Sequence, residues 1–239
     1  DPEQYKKCLQ KLNSLAKKRG INGVRWNIVN EDYLKWECDR KFEFIVGNPP
    51  YITYQELDEE NRDYVRKKFS TCEKGKFDYC YAFIERSVDS LSDDGKMSYL
   101  IPSSIFKTVF GKKLRSYIKP YLQEIYDYTQ DKMFDDVLVK SAIIIINKSI
   151  TNNEMIYYDM ANEDKIYINT ENLTNKWFFT KNNIPGTRRF GDYFQVAHVV
   201  ATLLNEAYVL KEENCQDINE FYCCNGKKIE KKVVRETAT

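Results

Sequence analysis

The most informative segment of this 239-residue chain is Phe42-Glu43-Phe44-Ile45-Val46-Gly47-Asn48-Pro49-Pro50-Tyr51. Its first part, Phe42–Gly47, is a short and largely apolar run that predicts a β-strand, and it leads directly into residues 48–51. In open α/β sheets, ligands bind beyond the carboxyl ends of the strands. We therefore expect any reaction to take place at residues 48–51.

The spacing of apolar residues outside this stretch predicts an alternation of helices and strands. The predicted helices span residues 2–19, 57–69 and 79–91, and the predicted strands span residues 24–29, 42–47 and 96–102. Strands that alternate with helices form parallel βαβ units, whose helices cover both faces of the sheet. The predicted fold class is therefore α/β.

Two later strands, predicted at residues 124–129 and 140–147, are too close in sequence for a helical crossover. Such a short connection favours an antiparallel pair, which we expect at the edge of the sheet. After residue 150 the chain becomes rich in asparagine, and Pro185-Gly186 indicates a boundary. The predicted divisions of the chain are residues 1–150, a connecting region at 151–185, and residues 186–239.

Composition excludes several classes of site. The nine glycines include no pair with GxG spacing, so the chain contains no Gly-rich loop of the kind that cradles phosphates. The seven cysteines include no CxxC pair, which favours reduced thiols in the cytoplasm over a disulfide framework or a zinc site, and we predict no bound metal. The apolar run at residues 142–146 is far shorter than the ~20 residues of a membrane span. The net charge of +1 neither indicates nor excludes a polyanionic partner.

The chemistry that this sequence offers lies in residues 48–51. The side-chain oxygen of Asn48 and the carbonyl oxygen of Pro49 are hydrogen-bond acceptors, and neither Pro49 nor Pro50 has an N–H group. Two fixed acceptors suit a planar –NH2 group, because holding both hydrogens localises the nitrogen lone pair for attack. Tyr51 offers a flat face on which a base can stack. The loop thus predicts chemistry at an amino group that is conjugated to a ring or a carbonyl.

Asn-Pro-Pro-Tyr after an apolar strand resembles the catalytic signature of methyltransferases that use S-adenosylmethionine, especially the adenine-N6 DNA methyltransferases. Residues 76–86, 95–106 and 134–146 are similar, in the same order, to segments of the Taq-type and type IIG restriction-modification enzymes. The resemblance implies a Rossmann-like methyltransferase sheet, S-adenosylmethionine as cofactor, and double-stranded DNA with a flipped adenine as substrate. It also implies a cytoplasmic restriction-modification enzyme, with any nuclease domain outside this chain.

The resemblance further implies roles for individual residues. It assigns catalysis to Asn48, Pro49, Pro50 and Tyr51. Asp32, in Asn30-Glu31-Asp32-Tyr33-Leu34, matches the family's aspartate that hydrogen-bonds the adenine of the cofactor, although Glu31 stands where the family has glycine. Phe134 matches an aromatic residue that, together with Tyr51, holds the extruded base.

The two ends of the chain also resemble parts of this family. Asp1-Pro2 is similar to the end of the segment that binds the cofactor ribose, so we expect the Gly-rich cofactor loop upstream of this chain. The catalytic domain at residues 1–150 would then lack its first strands. Residues 189–210 and 228–235 resemble parts of the family's DNA target-recognition domain. We therefore expect residues 186–239 to begin that domain.

Several residues have a simpler interpretation beside the functional one. Asp32 could cap the turn that follows it, and Asp78 is better explained as the N-cap of the next helix. Phe134 fits the edge of the core as well as it fits a base contact. His198, the only histidine, fits a surface or structural role better than that of a general base.

Other functions also remain open from the sequence. Residues 48–51 permit methylation of guanine-N2 in RNA, of cytosine-N4, or of a protein glutamine. A non-catalytic DNA-binding module is the alternative from another class. Basic clusters at residues 62–68, 107–115 and 227–235 are either solvated faces or, if DNA binds, contacts to its phosphates.

Overall fold

The computed structural model describes residues 1–129, 140–150 and 153–179, together with the backbone of residues 221–222 and 228–229. The chain divides into two compact units, Asp1–Asn183 and Ile184–Thr239. In the second unit, Phe221–Tyr222 pairs antiparallel with Lys228–Ile229. The other described elements belong to the first unit.

The described part of the first unit contains four α-helices, namely α1 (Pro2–Lys18), α2 (Glu59–Lys68), α3 (Cys80–Ser90) and α4 (Lys112–Ile118). Asp1 caps α1 by accepting the backbone N–H of Glu3 at 2.8 Å, and Asp58 caps α2 by accepting that of Asn61 at 2.8 Å. The first three helices confirm the predictions from apolar spacing. None of these helices is long and apolar enough to cross a membrane.

Six strands of the described residues form one mixed sheet. They are β1 (Phe42–Gly47), β2 (Leu91–Pro102), β3 (Leu122–Asp127), β4 (Ser141–Asn147), β5 (Glu154–Asp159) and β6 (Asp164–Asn169). Their order across the sheet is β1-β2-β4-β3-β5-β6. β1 and β2 are parallel, with α2 and α3 between them in the chain, and β3 and β5 are also parallel. The remaining pairs are antiparallel. This sheet with its helices confirms the predicted α/β class.

Strands β3 and β4 are antiparallel, as predicted, but they do not lie at the edge of the sheet. β4 lies between β2 and β3, while β5 and β6 extend the sheet beyond β3. The predicted position was wrong because the polar composition after residue 150 conceals two further strands. β5 buries Met155 and Tyr157 in spite of its polar neighbours.

Residues 24–29 form no strand, so that prediction was also wrong. Trp26 and Ile28 are half-buried, whereas Val24 and Val29 are 37% and 47% exposed. The alternation therefore reports partial burial of one side of this segment. A strand also needs a partner for its backbone hydrogen bonds, and none of the described strands pairs with these residues.

The centre of the core is β4, which lies between two strands and has Ala142, Ile144 and Ile146 fully buried. β2 contributes Met97 and Ile101, which are also almost fully buried. Burying one large aliphatic side chain stabilises a fold by about 1.5–3 kcal/mol. The apolar interior of the sheet therefore provides a rigid base for the loops at its edges.

Candidate active site

Residues 48–51 follow the carboxyl end of β1, as the strand prediction required. Asn48 is exposed, Pro49 is buried, and Pro50 and Tyr51 are half-buried. The buried proline fixes the backbone on one side of Asn48. The Asn48 side chain is therefore accessible to a ligand while its backbone is held.

A close contact between β1 and β2 sets the backbone just before Asn48. Gly47 lies opposite Tyr99, and a Cβ atom on Gly47 would lie only 2.9 Å from Cε1 of Tyr99. Carbon atoms normally pack at about 3.5–4.0 Å. Tyr99 is 5% exposed, and its hydroxyl lies 2.5 Å from Oγ of Ser87, which in turn lies 2.8 Å from the hydroxyl of Tyr33. Glycine at position 47 thus allows β1 to approach a tyrosine that is itself held in place.

The chain after residue 51 is held by the segment that precedes α3. The backbone N–H of Tyr79 donates to the carbonyl oxygen of Ile52 at 2.9 Å, and Thr53 forms a β-bridge with Asp78. The Asp78 carboxylate accepts the N–H of Cys80 at 3.2 Å, so it stabilises the start of α3 although Tyr79 occupies the N-cap position. Burial raises the pKa of Asp78. The loop at residues 48–51 is therefore fixed on both sides of Asn48.

The hydroxyl oxygen of Tyr51 points into the protein, where it is fully buried. Burial raises the pKa of Tyr51 to about 12, and the nearby Ser141 hydroxyl opposes this shift. Ser141 is the first residue of β4, so Tyr51 lies beside the central part of the same sheet edge. The phenol is neutral at physiological pH, and the half-buried ring keeps part of its surface accessible.

Asp32 begins a turn next to this loop. Its Oδ1 accepts the N–H of Leu34 at 3.0 Å, and its backbone carbonyl accepts that of Trp36 at 2.7 Å. Burial, helped by the charge of Asp32, raises the pKa of Tyr79 to about 12. Asp32 therefore does cap a turn, and a cofactor contact stays a prediction.

Two other predicted residues, Phe134 and His198, lie outside the described residues. The part that Phe134 plays in holding a base therefore stays a prediction.

Residues 1–134, more than half of the chain, match the Eco57I restriction-modification methylase family. The chain belongs to this family. The type II methyltransferase M.AccI from Acinetobacter calcoaceticus is 27% identical over 225 residues, which cover 81% of this chain and 41% of M.AccI. RM.Eco57I from Escherichia coli, a type II restriction enzyme and methyltransferase, is 30% identical over 122 residues, which cover 49% of this chain and 12% of RM.Eco57I. The chain thus spans less than half the length of these two curated relatives.

Among solved structures, the chain is similar to the methyltransferase subunit of a type I restriction-modification system from Streptococcus thermophilus. The alignment has a TM-score of 0.44 and 21% identity, and it covers 56% of this chain and 30% of that subunit. The membership of a restriction-modification methylase family, predicted from residues 48–51 and their neighbours, is confirmed by the family match.

In this Eco57I-family chain, Arg115 does not contribute to a basic surface. It is 2% exposed, and its guanidinium donates to the carbonyl oxygens of Ile105 at 2.6 Å and Thr108 at 2.9 Å, and to that of Asn175. The interpretation of Arg115 as part of a solvated face or a phosphate contact was wrong. Its role is to connect the chain after β2 to the segment near residue 175.

Two arginines of the first basic cluster contact Tyr54, which follows the loop at residues 48–51. The guanidinium groups of Arg62 and Arg66 lie 5.1 and 5.3 Å from the ring centroid of Tyr54, and Arg66 donates to its hydroxyl at 3.1 Å. This hydrogen bond lowers the pKa of Tyr54. The third cluster, residues 227–235, lies outside the described residues except for the backbone of residues 228–229.

Sequence reasoning missed the residues that hold the loop, above all Gly47, Ser87 and Tyr99. A glycine that interrupts an apolar strand directly before Asn48 is itself a sign of close backbone approach. The identity of its partner could not be read from the sequence, because Tyr99 belongs to the next strand of the sheet.

Proposed function

We propose that this chain is the catalytic part of a restriction-modification enzyme that transfers a methyl group from S-adenosylmethionine to the N6 amino group of adenine in double-stranded DNA. The observation that carries the proposal is the placement of Asn48. It is exposed, it follows a parallel strand, and it stands between Gly47, which packs against Tyr99, and the buried Pro49. Such a residue presents an accessible acceptor from a held backbone at the sheet edge where ligands bind.

The residues of the loop would act by positioning. Oδ1 of Asn48 and the carbonyl oxygen of Pro49 accept the two N–H groups of the target amine, which localises its lone pair. Tyr51 stacks on the ring that bears the amine. Because the loop is fixed before substrate arrives, little reorganisation is needed, and preorganised polar groups of this kind supply a large share of enzymatic rate enhancement.

Asp32 fits a contact to the cofactor. Within the described residues, its Oδ1 holds the turn through Leu34, and the exposed carboxylate keeps Oδ2 for another donor. We propose that Oδ2 accepts a hydrogen bond from the adenine amino group of S-adenosylmethionine. The cofactor supplies an electrophilic methyl group when bound, and Asp32 would anchor it on the side of Tyr79.

A duplex substrate requires the target base to leave the helix. The amino group of a stacked and paired adenine cannot reach a site at the edge of a sheet, so the nucleotide must be extruded, at a cost of a few kcal/mol. We propose that Tyr51 and Phe134 hold the extruded base.

The choice of DNA over other amino substrates is supported by the relatives. M.AccI is called a type II methyltransferase, and RM.Eco57I is called both a restriction enzyme and a methyltransferase. Guanine-N2 in RNA, cytosine-N4 and protein glutamine carry amino groups that the same acceptors could hold. The restriction-modification context favours DNA over RNA and protein.

The proposal also assigns roles to the parts of the chain. Residues 1–150 would carry out catalysis and residues 186–239 would begin target recognition, with residues 151–185 connecting them. β5 and β6 lie in the connecting region and continue the catalytic sheet. We place the enzyme in the cytoplasm, with any nuclease domain outside this chain.

The complete enzyme would be incubated with tritiated S-adenosylmethionine in three separate reactions. These would contain plasmid DNA, ribosomal RNA or a release-factor protein as the substrate. We expect label in the DNA alone. Label in RNA or protein at a rate comparable to that in DNA would replace the proposed substrate. No transfer to any substrate would favour the non-catalytic alternative.

A further inference from the structure

A cleft lies near the loop at residues 48–51, and the proposed mechanism gives it no role. It has a volume of about 510 Å³, and its walls come from the ends of β2, β3 and β5, the start of β4 and residues 178–179. The backbone N–H of Ser103 donates to the carbonyl of Lys140 at 2.9 Å, which closes one wall. Lys140 directly precedes Ser141, the neighbour of Tyr51. The cleft therefore borders the loop that would receive the target base.

The charged groups of this cleft are of two kinds. Asp127 and Asp159 are engaged by the protein: Asp127 accepts the hydroxyl of Tyr157 at 2.8 Å and the N–H of Thr129 at 2.8 Å, while Asp159 accepts backbone N–H groups of the turn before β6. Lys107 and Lys140 are exposed, and neither forms an ion pair with a described residue. The cleft thus offers two exposed ammonium groups to a ligand, whereas the oxygens of its two carboxylates accept hydrogen bonds from the protein.

An aromatic surface lies beside one of these cations. Phe178 is 61% exposed, and the ammonium group of Lys107 lies 5.6 Å from its ring centroid. The adjacent Phe179 stacks on Tyr157 with ring centroids 4.4 Å apart. An exposed aromatic face next to a lysine matches the combination of stacking and charge that binds single nucleotides of a strand.

The segment that precedes Phe178 is held in place by contacts with the rest of the protein. The backbone N–H of Trp177 donates to the carbonyl of Phe106 at 2.9 Å, and the two rings stack with centroids 6.1 Å apart. Arg115 donates to the carbonyl of Asn175 in the same segment. Phe178 therefore projects from a fixed backbone, although its own ring is exposed.

We infer that this cleft binds a nucleotide that flanks the target adenine, with Lys107 and Lys140 contacting the phosphates and Phe178 packing on the sugar or on the base face that the extruded adenine leaves exposed. The inference rests on the proposed function, because the flanking nucleotide exists only if the loop receives a base from a strand. The two exposed cations argue for a phosphate-bearing ligand rather than for an apolar peptide. The contact would hold the strand on both sides of the extruded base.

The test measures binding and methyl transfer separately in the complete enzyme. Anisotropy of a fluorescein-labelled duplex, cut from a plasmid that the wild-type enzyme methylates, would give Kd between 50 and 200 mM salt, concentrations over which phosphate contacts weaken strongly. The variants are Lys107→Gln with Lys140→Gln, and Phe178→Ala. The matched control is Lys96→Gln, because Lys96 is exposed and lies on β2 away from its carboxyl end. Circular dichroism melting checks that each variant folds.

We expect the double lysine variant to raise Kd at least about 10-fold at 100 mM salt and to reduce the slope of log Kd against log salt by about 2, one for each lost phosphate contact. Phe178→Ala should raise Kd on the order of 10-fold and leave the slope unchanged, because stacking releases no counterions. Lys96→Gln should behave as the wild type.

A salt slope equal to that of the wild type in the double lysine variant would overturn the cleft inference, and the proposed function would stand if methylation persists. Methylation of this plasmid by the wild-type enzyme at cytosine-N4 instead of adenine-N6 would overturn the proposed function, and the duplex titration would still decide the cleft. A further titration would measure the binding of free adenosine 5′-monophosphate to the wild type and the double lysine variant. If the double variant lost binding of this free nucleotide and kept its duplex affinity, the cleft would be a small-ligand site instead.

Discussion

The loop at residues 48–51 and the cleft proposed to bind a flanking nucleotide, here the flanking cleft, lie at the same sheet edge, but they are held very differently. In the loop, Gly47 packs against Tyr99 and Pro49 is buried. Directly after the loop, the carbonyl oxygen of Ile52 accepts a hydrogen bond from the backbone N–H of Tyr79. In the cleft, two lysines and Phe178 project from fixed backbone into solvent. Chemistry at a bound amine needs acceptors at fixed positions, whereas contacts to a phosphate chain tolerate long, mobile side chains. Small changes should therefore be costly in the loop and mild in the cleft.

The largest effect is expected from Asn48→Ala. Removing one preorganised group that holds the reacting atoms typically costs about 10²–10³ in rate, so we expect single-turnover methyl transfer to fall at least about 100-fold. Duplex affinity, measured by anisotropy, should change less than about threefold. Near-normal incorporation of tritiated methyl groups by this variant would remove Asn48 from the mechanism.

A smaller but still large effect is expected from Gly47→Ala. The new Cβ would lie 2.9 Å from Tyr99, and overpacking of this kind costs about 1–3 kcal/mol in stability. Displacement of the neighbouring Asn48 by about 1 Å could lower the rate ~100-fold. Urea unfolding and single-turnover assays measure the two effects.

The control for Gly47→Ala is the double variant with Tyr99→Leu, which removes the ring atoms that would collide. It should recover part of the lost activity, because the two changes share one contact. Additive losses in the double variant would show that Tyr99 does not set the position of the loop.

Two variants of Tyr51 separate the role of its ring from the role of its hydroxyl. Tyr51→Ala should weaken methyl transfer by about 10- to 100-fold, since base stacking is worth ~1–3 kcal/mol. Tyr51→Phe keeps the ring and removes only the buried hydroxyl, so we expect a change below about threefold. Equal losses in kcat/KM for the two variants would show that the hydroxyl near Ser141, rather than the ring, is what matters.

The smallest effect concerns alkaline stability. Burial raises the pKa of Tyr99 to about 12, whereas tyrosine in an unfolded chain ionises near ~10. The unfolded state therefore loses this proton first, so the contribution of Tyr99 is complete below about pH 10 and declines as the pH rises toward 12. Urea unfolding at pH 9, 10 and 11 should show a shallower decline for Tyr99→Phe than for the wild type. An equal decline would contradict the assigned burial of the phenol.

Local patterns in the sequence predicted individual strands and helices and the chemical groups of the loop at residues 48–51. The apolar run before Asn48 predicted β1, and the spacing in residues 79–91 predicted α3, because each element has its own period. The acceptor chemistry of residues 48–51 could be read from their atoms. Family membership followed from the same residues.

What depends on contacts between distant segments could not be predicted in this way. The alternation in residues 24–29 showed which side chains are half-buried, but not that a partner strand is missing from the described residues. The order of β3, β4 and β5 depends on pairing across the sheet. The Gly47–Tyr99 contact joins two strands separated by α2 and α3, and the flanking cleft is built from four strand ends.

We propose above that the loop at residues 48–51 directs methylation to the N6 amino group of adenine in DNA. The most direct measurement is mass spectrometry of the nucleosides from plasmid DNA, previously unmethylated, after incubation with the complete enzyme and S-adenosylmethionine. We expect N6-methyldeoxyadenosine as the new nucleoside. Appearance of N4-methyldeoxycytidine instead, or no methylated nucleoside from an enzyme that still binds the duplex, would contradict it.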